Sequence, residues 1–589
     1  MKRAKTNDAL VMWAGFIASA LMLTVIQPPI SLSWVAWVSL VPFVLACSPA
    51  VKGKPLAVAA YFVSLVYWLA NLYWVFPVTI AGWGAYCLYQ GLLWPIIALS
   101  LRYCRIKRIP IFLAVPVLFV GAERLQGLFL GGFFWRFLAH SQYANISLIQ
   151  ISDIFGAAGV SFLVALVNGL LAELIIAAGL SSAKSANQKR LLIRRNLLKT
   201  ALVALALAAT ILYGRWRIRQ SEEAVEPGPL VGSVQSNTPQ SVKRTFDDSN
   251  DIFNELRPLS TAAADAGATL VVWPETMVQA TLNTDIWAIL DAAGQTGAFA
   301  RDKVFDRELR QLGEQDGAYL LIGAYRERLR QQADGTPYVG RYNSAFLYTP
   351  EGRQAPEQYD KIHLVPFGEV VPFRRRLPAL YNLLMKFTPY NCDYSLDYGS
   401  EFTVFEMTPD PTSRPAEREK QTCRFSVMIC YEDTIPKIAR KFTLDAHGRK
   451  RINWLVNISN DGWFVRFKDE KVHASTELAQ HAAVCVFRAV ENRLAVVRSV
   501  NTGISCIIDT AGRIRDGFVA GNLPEKALAR KAVAGWFVDN LPIDNRVTFF
   551  TRYGQWLDFC CALCLLVLII VASFSGSTRV ARRSARWSR

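Results

Sequence analysis

The chain has 589 residues, of which 52% are hydrophobic and 19% are charged. This composition is too apolar for an ordinary soluble protein, and it indicates a membrane protein with room for more than one domain. The formal net charge of +18 does not indicate nucleic-acid binding, because the excess basic residues flank apolar runs, in the segments 2–5, 52–54, 102–108, 184–195 and 579–589. The 11 cysteines show no CxxC pair and no zinc-finger spacing, so neither a metal nor another cofactor is predicted.

Eight apolar runs have about the length that a helix needs to cross a bilayer. The first run carries no small-residue cleavage site, so we interpret it as a retained anchor and not as a signal peptide. A helix breaker, Gln27-Pro28-Pro29, separates the first two runs. The predicted spans are 9–27, 30–48, 55–77, 82–101, 109–129, 159–180, 197–214 and 554–574.

The distribution of charge predicts the topology. With eight spans, all the basic segments fall on one side of the membrane, and the positive-inside rule places that side and both termini in the cytoplasm. We therefore expect a multi-pass protein of the cell inner membrane whose long segment 215–553 lies in the periplasm. The predicted domains are a transmembrane bundle of about seven helices (1–214), a linker (215–228), a periplasmic domain (229–540), and a C-terminal transmembrane helix with a basic cytoplasmic tail (541–589).

The long segment 215–553 has the sequence pattern of an α/β domain. Short β-branched runs alternate with helical stretches, and the runs end in polar or charged residues. The polar stretch 408–421 is predicted to be a loop. The predicted strands include 269–272, 425–429, 454–459 and 494–498, and the predicted helices include 250–266 and 474–492.

Three ends of predicted strands carry reactive side chains. Glu275 follows VVWP, Lys361 and Glu369 lie in YDKIHLVPFGE, and Cys430 follows VMI. Each residue by itself is ordinary, since a lone cysteine is usually packed in a core and a lone Glu or Lys is usually solvated. Together they supply a thiol nucleophile, a carboxylate that takes its proton, and a cation that stabilises an oxyanion. The set therefore predicts acyl transfer through a thioester.

The same residues and their flanks resemble the carbon–nitrogen hydrolase (nitrilase) superfamily. VVWPE, KIHLVPFGE, ICYE and ISNDGWF appear in that order, followed by HAAVCVFRAVENR and VNTGISCIID. With SLIQISDIFGAAGVSFLVALVN in the membrane part, nearly the entire chain is similar to the membrane branch of the superfamily, the apolipoprotein N-acyltransferases. The resemblance implies a four-layer α–β–β–α sandwich for 229–540, beside the eight transmembrane helices.

The resemblance also implies roles for individual residues. Glu275 is expected to be the general base, Lys361 the oxyanion stabiliser and Cys430 the nucleophile. Glu369 is expected to position Lys361 or to relay protons. The remaining expected contributors are two residues that follow the nucleophile and two aromatic residues at a lipid entrance, namely Tyr431, Glu432, Trp463 and Phe464.

The implied reaction takes an acyl group from a membrane phospholipid and passes it to the N-terminal amine of diacylglyceryl-cysteine in an apolipoprotein. A monomer without nucleic-acid partners is expected. The chain departs from the family where a tryptophan is usual, since Lys243 and Arg244 occupy that neighbourhood and the nearest aromatic residue is Phe246. It also has Gln126 where the family usually has an arginine three residues after Glu123.

Several alternatives stay open at this point. The same three residues would also serve a membrane-tethered nitrilase-type amidase, and a non-catalytic membrane scaffold is a third possibility. The apolar stretch Leu377–Tyr390 is either a buried helix or a lid that dips into the bilayer surface. A disulfide between Cys392 and Cys423 is compatible with an oxidising compartment, but their spacing does not establish it.

Overall fold

The computed structural model describes residues 2–128, 132–180, 185–239, 246–295, 297–331, 335–371, 373–374, 377–386, 394–409, 422–469 and 471–584. The chain divides into two compact units. One unit, called here the helical unit, comprises Met1–Tyr73, Gly82–Ile218 and Tyr553–Arg589, and the other, the α/β unit, comprises Trp74–Ala81 and Arg219–Arg552.

The helical unit is built from apolar helices. Its first nine helices are α1 (Lys2–Val25), α2 (Val41–Ala46), α3 (Gly53–Asn71), α4 (Ile80–Gly91), α5 (Leu93–Lys107), α6 (Ile111–Gln126), α7 (Ile146–Ile149), α8 (Ser152–Phe155) and α9 (Ala157–Leu180). The long helix α10 follows at Ala186–Ala224. Six helical stretches among the described residues are long and apolar enough to cross a membrane: Asp8–Val25, Gly53–Asn71, Ile80–Lys107, Ala157–Gly179, Asn187–Ala224 and Trp556–Phe574.

Three of the eight predicted spans differ from simple long helices, and one of them, 82–101, is divided between α4 and α5. The segment 30–48 contains a 3-10 turn at Ser33–Trp37 and then the short helix α2, so the prediction of one continuous helix there is wrong. Pro42 lies in the first turn of α2, where its missing N–H costs no helical hydrogen bond. The amide of Leu40, at the break, donates instead to Oδ1 of Asn168 over 2.8 Å. The segment 109–129 forms α6, which has 16 residues.

Charged side chains inside the helical unit are paired. Arg217 lies 2.7 Å from Asp153, and Lys199 pairs with Glu173. Glu123 accepts a hydrogen bond from the backbone amide of Leu138 over 2.8 Å. Such pairing makes ionisable groups tolerable in an apolar environment. These contacts give Glu123 and Glu173 structural roles in the bundle.

Fourteen strands form in the part of the α/β unit that the structure describes. They are β1 (Val225–Gln235), β2 (Leu270–Val272), β3 (Tyr319–Gln331), β4 (Pro337–Tyr348), β5 (Gln354–Asp360), β6 (Phe405–Met407), β7 (Cys423–Ile429), β8 (Trp454–Ser459), β9 (Arg466–Lys468), β10 (Lys471–His473), β11 (Ala495–Val500), β12 (Cys506–Ile508), β13 (Ile514–Arg515) and β14 (Gly535–Asp544). The remaining helices of the chain are α11 (Phe246–Asp265), α12 (Thr284–Ala292), α13 (Ala300–Asp316), α14 (Pro378–Met385), α15 (Pro436–Thr443), α16 (Glu477–Asn492), α17 (Phe549–Tyr553) and α18 (Trp556–Ser584), the last of which lies in the helical unit.

The strands form two six-stranded sheets and one hairpin. The order is β14-β1-β2-β3-β4-β5 in the first sheet and β13-β12-β11-β8-β7-β6 in the second, while β9 pairs with β10. At the centre of each sheet three strands run parallel, β1, β2 and β3 in one and β7, β8 and β11 in the other. Parallel strands require crossover connections, which the helices supply. The carboxyl ends of β2, β7 and β8 are where the polar motifs of the sequence begin.

Aromatic and aliphatic side chains fill the core between α11, α13 and the first sheet. The ring of Phe253 in α11 lies 5.5 Å from that of Trp273 and 5.3 Å from that of Phe305 in α13. The two sheets also meet, since Oγ of Ser499 in β11 donates to the carbonyl of Val272 in β2 over 2.8 Å. The strands and helices predicted from the sequence match β2, β7, β8, β11, α11 and α16 within a few residues.

The predicted boundaries of the domain need correction at both ends. No irregular linker occupies 215–228, because α10 continues to Ala224 and β1 begins at Val225. Val225 pairs with Asp544 of β14, so the sheet uses backbone groups of both predicted boundary regions. Strand β14 therefore extends past the predicted end at 540. Most of the predicted loop 408–421 lies outside the described residues.

Candidate active site

Cys430 lies at a sharp turn where β7 ends. It is the first residue of a 3-10 turn, Cys430–Thr434, and its φ of 53° falls in the left-handed region that non-glycine residues rarely adopt. The turn is held by Asn457, whose Nδ2 donates to the carbonyl of Cys430 over 3.0 Å. A strained backbone held by its surroundings is typical of a functional residue. Cys430 is 6% exposed and lines a cavity.

Glu275 follows β2 in a turn that packs closely on β3. A side chain at Gly323 of β3 would place its Cβ 2.7 Å from the carbonyl oxygen of Pro274 and 2.7 Å from the amide of Thr276. Glycine is therefore required there for the turn to approach the sheet. Oε2 of Glu275 accepts a hydrogen bond from the backbone amide of Asn460 over 2.9 Å, which fixes the carboxylate.

Lys361 follows β5 and meets two carboxylates. Its Nζ lies 3.1 Å from Oε1 of Glu275 and 2.9 Å from Oε1 of Glu369. Oε2 of Glu369 accepts a hydrogen bond from the amide of Val365 over 2.8 Å, which holds that carboxylate beside the lysine. The structure thus brings together the predicted base, the predicted cation and the predicted second carboxylate.

Asn343 is a site residue that the sequence did not reveal. From β4, its Nδ2 donates to Oε1 of Glu275 over 2.7 Å and to Oε1 of Glu369 over 2.9 Å. A single amide therefore holds two like-charged groups on either side of Lys361. The flanking sequence RYNSAFL reads as an ordinary strand, so only the pairing of β4 with its neighbours identifies this asparagine.

Burial and charge set the protonation states of the site. Burial lowers the pKa of Lys361, but the carboxylates of Glu275 and Glu369 more than offset it and hold that pKa well above its usual value. Burial, reinforced by the carboxylate of Glu275, raises the pKa of the Cys430 thiol well above its usual value, although Lys361 opposes the shift. The resting site therefore holds an ammonium group and a neutral thiol. The thiol needs a base when it attacks, and Glu275 is the carboxylate in place.

Glu432 connects the loops that carry Lys361 and Cys430. Its carboxylate accepts hydrogen bonds from the amides of Ile362, His363 and Ile429 over 2.7, 2.9 and 2.8 Å, and from the hydroxyl of Tyr359 over 2.9 and 2.8 Å. Burial raises the pKa of Glu432 to about 7 although these donors oppose the shift. Glu432 makes no contact with the reacting groups among the described residues, so it is a positioning residue.

Three other residues predicted from the sequence, Tyr431, Trp463 and Phe464, also lie at the site or beside it. Trp463 and Phe464 line the same cavity of about 230 Å³ as Glu275, Lys361 and Cys430. The ring of Phe464 lies 5.1 Å from that of Trp74, which belongs to the same unit. Tyr431 stacks on His363, with ring centroids 5.9 Å apart, and so packs against the loop after Lys361.

A buried network of charged side chains contacts the turn Cys430–Thr434. Nε2 of His481 in α16 lies 2.8 Å from Asp433, and its Nδ1 lies 3.3 Å from Asp461 and 3.1 Å from Glu477. Arg498 of β11 lies 2.7 Å from Asp433. Burial lowers the pKa of His481, but Asp433 and Asp461 more than compensate and raise it well above its usual value. The imidazole thus acts as a cation that ties the turn after Cys430 to the NDGWF loop. Nothing in the sequence patterns singled out this network.

Several other predictions concern less central residues. Gln126 donates from Nε2 to the carbonyls of Phe133 and Trp135 over 3.0 and 2.9 Å, which gives it a structural role in the helical unit. Of the two alternatives left open for 377–390, the buried helix does not hold for α14, none of whose residues is buried, and 387–390 lie outside the described residues. Lys243, Arg244 and Cys392 also lie outside them, so the pairing of Cys392 with Cys423 stays a prediction.

Comparison with known proteins identifies the family of this chain. Residues 230–524 match the carbon–nitrogen hydrolase family. The chain belongs to the carbon–nitrogen hydrolase family. Residues 19–170 match a second family, the apolipoprotein N-acyltransferase N-terminal domain.

Two relatives align with almost the whole chain. The apolipoprotein N-acyltransferase of Geobacter metallireducens is 28% identical over 570 residues, which cover 94% of this chain and 94% of that relative. The apolipoprotein N-acyltransferase of Chlorobaculum tepidum is 26% identical over 565 residues, which cover 93% of each chain. Among solved structures, an amidase from Nesterenkonia sp. covers 55% of this chain and 94% of its own, with 16% identity and a TM-score of 0.32. The full-length relatives and the two family matches confirm the predicted enzyme class, an N-acyltransferase of the membrane.

Proposed function

We propose that the protein transfers a fatty acyl group from a membrane phospholipid, through a thioester on Cys430, to the N-terminal amine of diacylglyceryl-cysteine in apolipoproteins. The observation that carries this proposal is the buried cluster of Glu275, Lys361 and Glu369 in the cavity that Cys430 lines. The match of residues 19–170 to the N-terminal domain of apolipoprotein N-acyltransferases favours this function over the amidase alternative.

The first half-reaction forms the acyl-enzyme. The sulfur of Cys430 attacks the ester carbonyl of the phospholipid while Glu275 takes the thiol proton. The ammonium group of Lys361 stabilises the negative charge that develops on the carbonyl oxygen. When the tetrahedral intermediate collapses, the carbon–oxygen bond to the glycerol breaks. The leaving alkoxide takes the proton from Glu275, and a lysophospholipid departs.

The second half-reaction discharges the thioester. The amine of the apolipoprotein attacks the thioester carbonyl and gives one proton to Glu275, so that a neutral amide forms. The carbon–sulfur bond breaks, and the thiolate recovers its proton from Glu275. Two lipid-anchored substrates therefore use one cavity in turn, which corresponds to ping-pong kinetics.

The proposed setting is the inner membrane, with eight spans, cytoplasmic termini and a periplasmic α/β unit of four α–β–β–α layers. The basic segments between the apolar runs support the orientation. The contact between the sheets at Ser499 and the packing of α11 and α13 support the layers. A monomer suffices, because all three reacting groups come from one chain. The unburied apolar helix α14 suits a lid at the lipid surface. A reporter active only in the cytoplasm should be silent when it is fused near Gly352.

The decisive experiment is mass spectrometry of the peptide that contains Cys430. Phospholipid alone should add one fatty-acyl mass that hydroxylamine removes, and an apolipoprotein peptide should discharge it as an amide. Cys430→Ala should show neither product, and Cys430→Ser should be very slow, because a hydroxyl is a far weaker nucleophile than a thiolate. An acyl mass on another residue, or wild-type turnover by Cys430→Ser, would disprove the mechanism.

A further inference from the structure

Arg341 differs from the other charged groups that line the active-site cavity. Glu275 and Glu369 share the single ammonium group of Lys361 through direct contacts. Arg341 is an exposed residue of β4 that lines the same cavity. Among the residues that the structure describes, no carboxylate lies within 4.0 Å of its guanidinium group. The cavity therefore carries one positive charge that has no direct counter-ion in the α/β unit as described.

Stacking holds this guanidinium group in place. It lies over the ring of Tyr325 in β3, 4.0 Å from the ring centroid. Contact through the flat face fixes the position of the group and leaves its N–H donors at the edge available for an acceptor. The nearby carboxylate of Asp302 accepts instead from the amide of Thr281 over 2.6 Å, and Glu327, which faces Arg341 across the strands, accepts from the hydroxyl of Thr281 over 3.5 Å.

The strand fixes the backbone spacing between Arg341 and Asn343, which contacts the catalytic cluster. Arg341 and Asn343 are two residues apart on β4, so their side chains leave the same face about 7 Å apart. Asn343 contacts both Glu275 and Glu369. In a glycerophospholipid, the carbonyl carbon of an acyl ester and the phosphorus atom lie about 6 to 8 Å apart when the glycerol is extended. An ester held at the catalytic cluster thus places its phosphodiester beside Arg341.

We propose that Arg341 binds the phosphodiester of the acyl donor and thereby selects phospholipids over uncharged acyl esters. This inference rests on the proposed function and names how the donor is recognised. A planar guanidinium group matches the oxygens of a phosphate through paired hydrogen bonds. Arg341 is a substrate-binding residue of the first half-reaction, and the apolipoprotein does not need it.

The test measures the rate at which Cys430 of the purified full-length protein is acylated in detergent micelles, without an apolipoprotein peptide. The donors are phosphatidylethanolamine and the diacylglycerol with the same chains, which lacks the phosphodiester. Arg341→Gln should acylate about tenfold to a hundredfold more slowly with phosphatidylethanolamine and at an unchanged rate with diacylglycerol. Arg341→Lys should lose less, because it keeps the charge.

Arg330→Gln is the matched control. Arg330 also lies over a tyrosine ring, that of Tyr342 at 5.7 Å, but it does not line the cavity. This variant should acylate at the wild-type rate with both donors. Equal losses of Arg341→Gln with both donors, or a loss only in discharge by the apolipoprotein peptide, would overturn the inference. A wild-type protein that phosphatidylethanolamine never acylates would instead contradict the proposed function.

Soluble anions separate a lipid site from a general anion site. Glycerophosphoethanolamine, which has the phosphodiester but no chains, should slow acylation of the wild type by diacylglycerol and have no effect on Arg341→Gln. Inorganic phosphate should inhibit the wild type more weakly at the same concentration. Inhibition by inorganic phosphate alone would mean that Arg341 binds free anions, and it would overturn a role in donor recognition.

Discussion

Lys361 and Glu275 form a buried ion pair, with Nζ of the lysine 3.1 Å from Oε1 of the carboxylate. The base and the cation of the proposed reaction therefore neutralise each other in the resting site. When Glu275 accepts the proton of the attacking thiol, the pair loses its negative member. Glu369 remains a charged partner of Lys361, but the lysine then has one carboxylate fewer when the oxyanion forms, which couples proton transfer to electrostatic stabilisation.

Lys361→Ala is expected to lower kcat by about a hundredfold or more, because one preorganised donor to an oxyanion contributes about 3 kcal/mol. Lys361→Arg should restore little of this activity, since a planar guanidinium group cannot replace a compact ammonium group between Glu275 and Glu369. Acyl transfer to an apolipoprotein peptide measures both variants. Lys437→Ala, at an exposed lysine of α15, is the control and should keep wild-type activity. Near-normal turnover by Lys361→Arg would show that only net charge matters.

Asn343→Ala is expected to reduce activity by about tenfold to a hundredfold, because removing one partner leaves buried charged groups short of a hydrogen bond. Without the amide, Glu275 and Glu369 repel each other across Lys361. Glu369→Gln should also reduce activity while the protein stays folded, as it removes one of the two charges that hold the lysine. Activity and thermal unfolding of each purified variant are the measurements. A fully active Asn343→Ala would show that Asn343 contributes only to packing.

Glu432→Gln is expected to lower kcat with little change in KM, because Glu432 orients the loops of Lys361 and Cys430 without contacting the reacting groups. Four donors point at its carboxylate, and the NH2 group of a glutamine would face one of them. The buried mismatch should also cost about 1 to 3 kcal/mol of stability. Steady-state kinetics and thermal unfolding test both effects together. A KM change at constant kcat would instead place Glu432 in substrate binding.

His481→Gln is expected to destabilise the protein in a pH-dependent manner. The carboxylates of Asp433, Asp461 and Glu477 and the guanidinium of Arg498 surround the imidazole, and the pKa of His481 lies well above its usual 6.5. Because the folded state binds the proton more tightly than the unfolded state, this stabilisation is complete below about pH 6.5 and is lost as pH rises through the folded pKa.

Thermal unfolding of the wild type and His481→Gln across pH 5.5 to 9 measures this linkage. The difference in Tm should be largest at the acidic end, equivalent to about 3 kcal/mol for a buried cation removed from its partners, and should shrink toward alkaline pH. His473→Gln, at an exposed histidine of β10, is the control and should show no such trend. A constant difference across the range would mean that folding does not shift the pKa of His481.

The sequence by itself predicted the candidate catalytic residues and the elements that carry them. Short apolar runs locate β2 and β7, and polar residues that directly follow them mark strand ends, so Glu275 and Cys430 were predictable from local pattern. Lys361 was predictable from its motif after β5. Long apolar runs likewise located most helices, because the length of a span and the period of a strand are properties of adjacent residues.

Only the tertiary structure decided what surrounds those elements. Asn343 reaches both carboxylates because β4 pairs with β3 and β5 in one particular register, and a shift of one residue would turn it to the other face. His481 and Arg498 come from α16 and β11, far along the chain from Asp433, and the folded α/β unit brings them together. The break at 30–48 likewise depends on a distant group, since Asn168 satisfies the amide of Leu40. Local pattern specifies strand ends, whereas long-range pairing specifies which side chains face one another, and no single segment encodes that pairing.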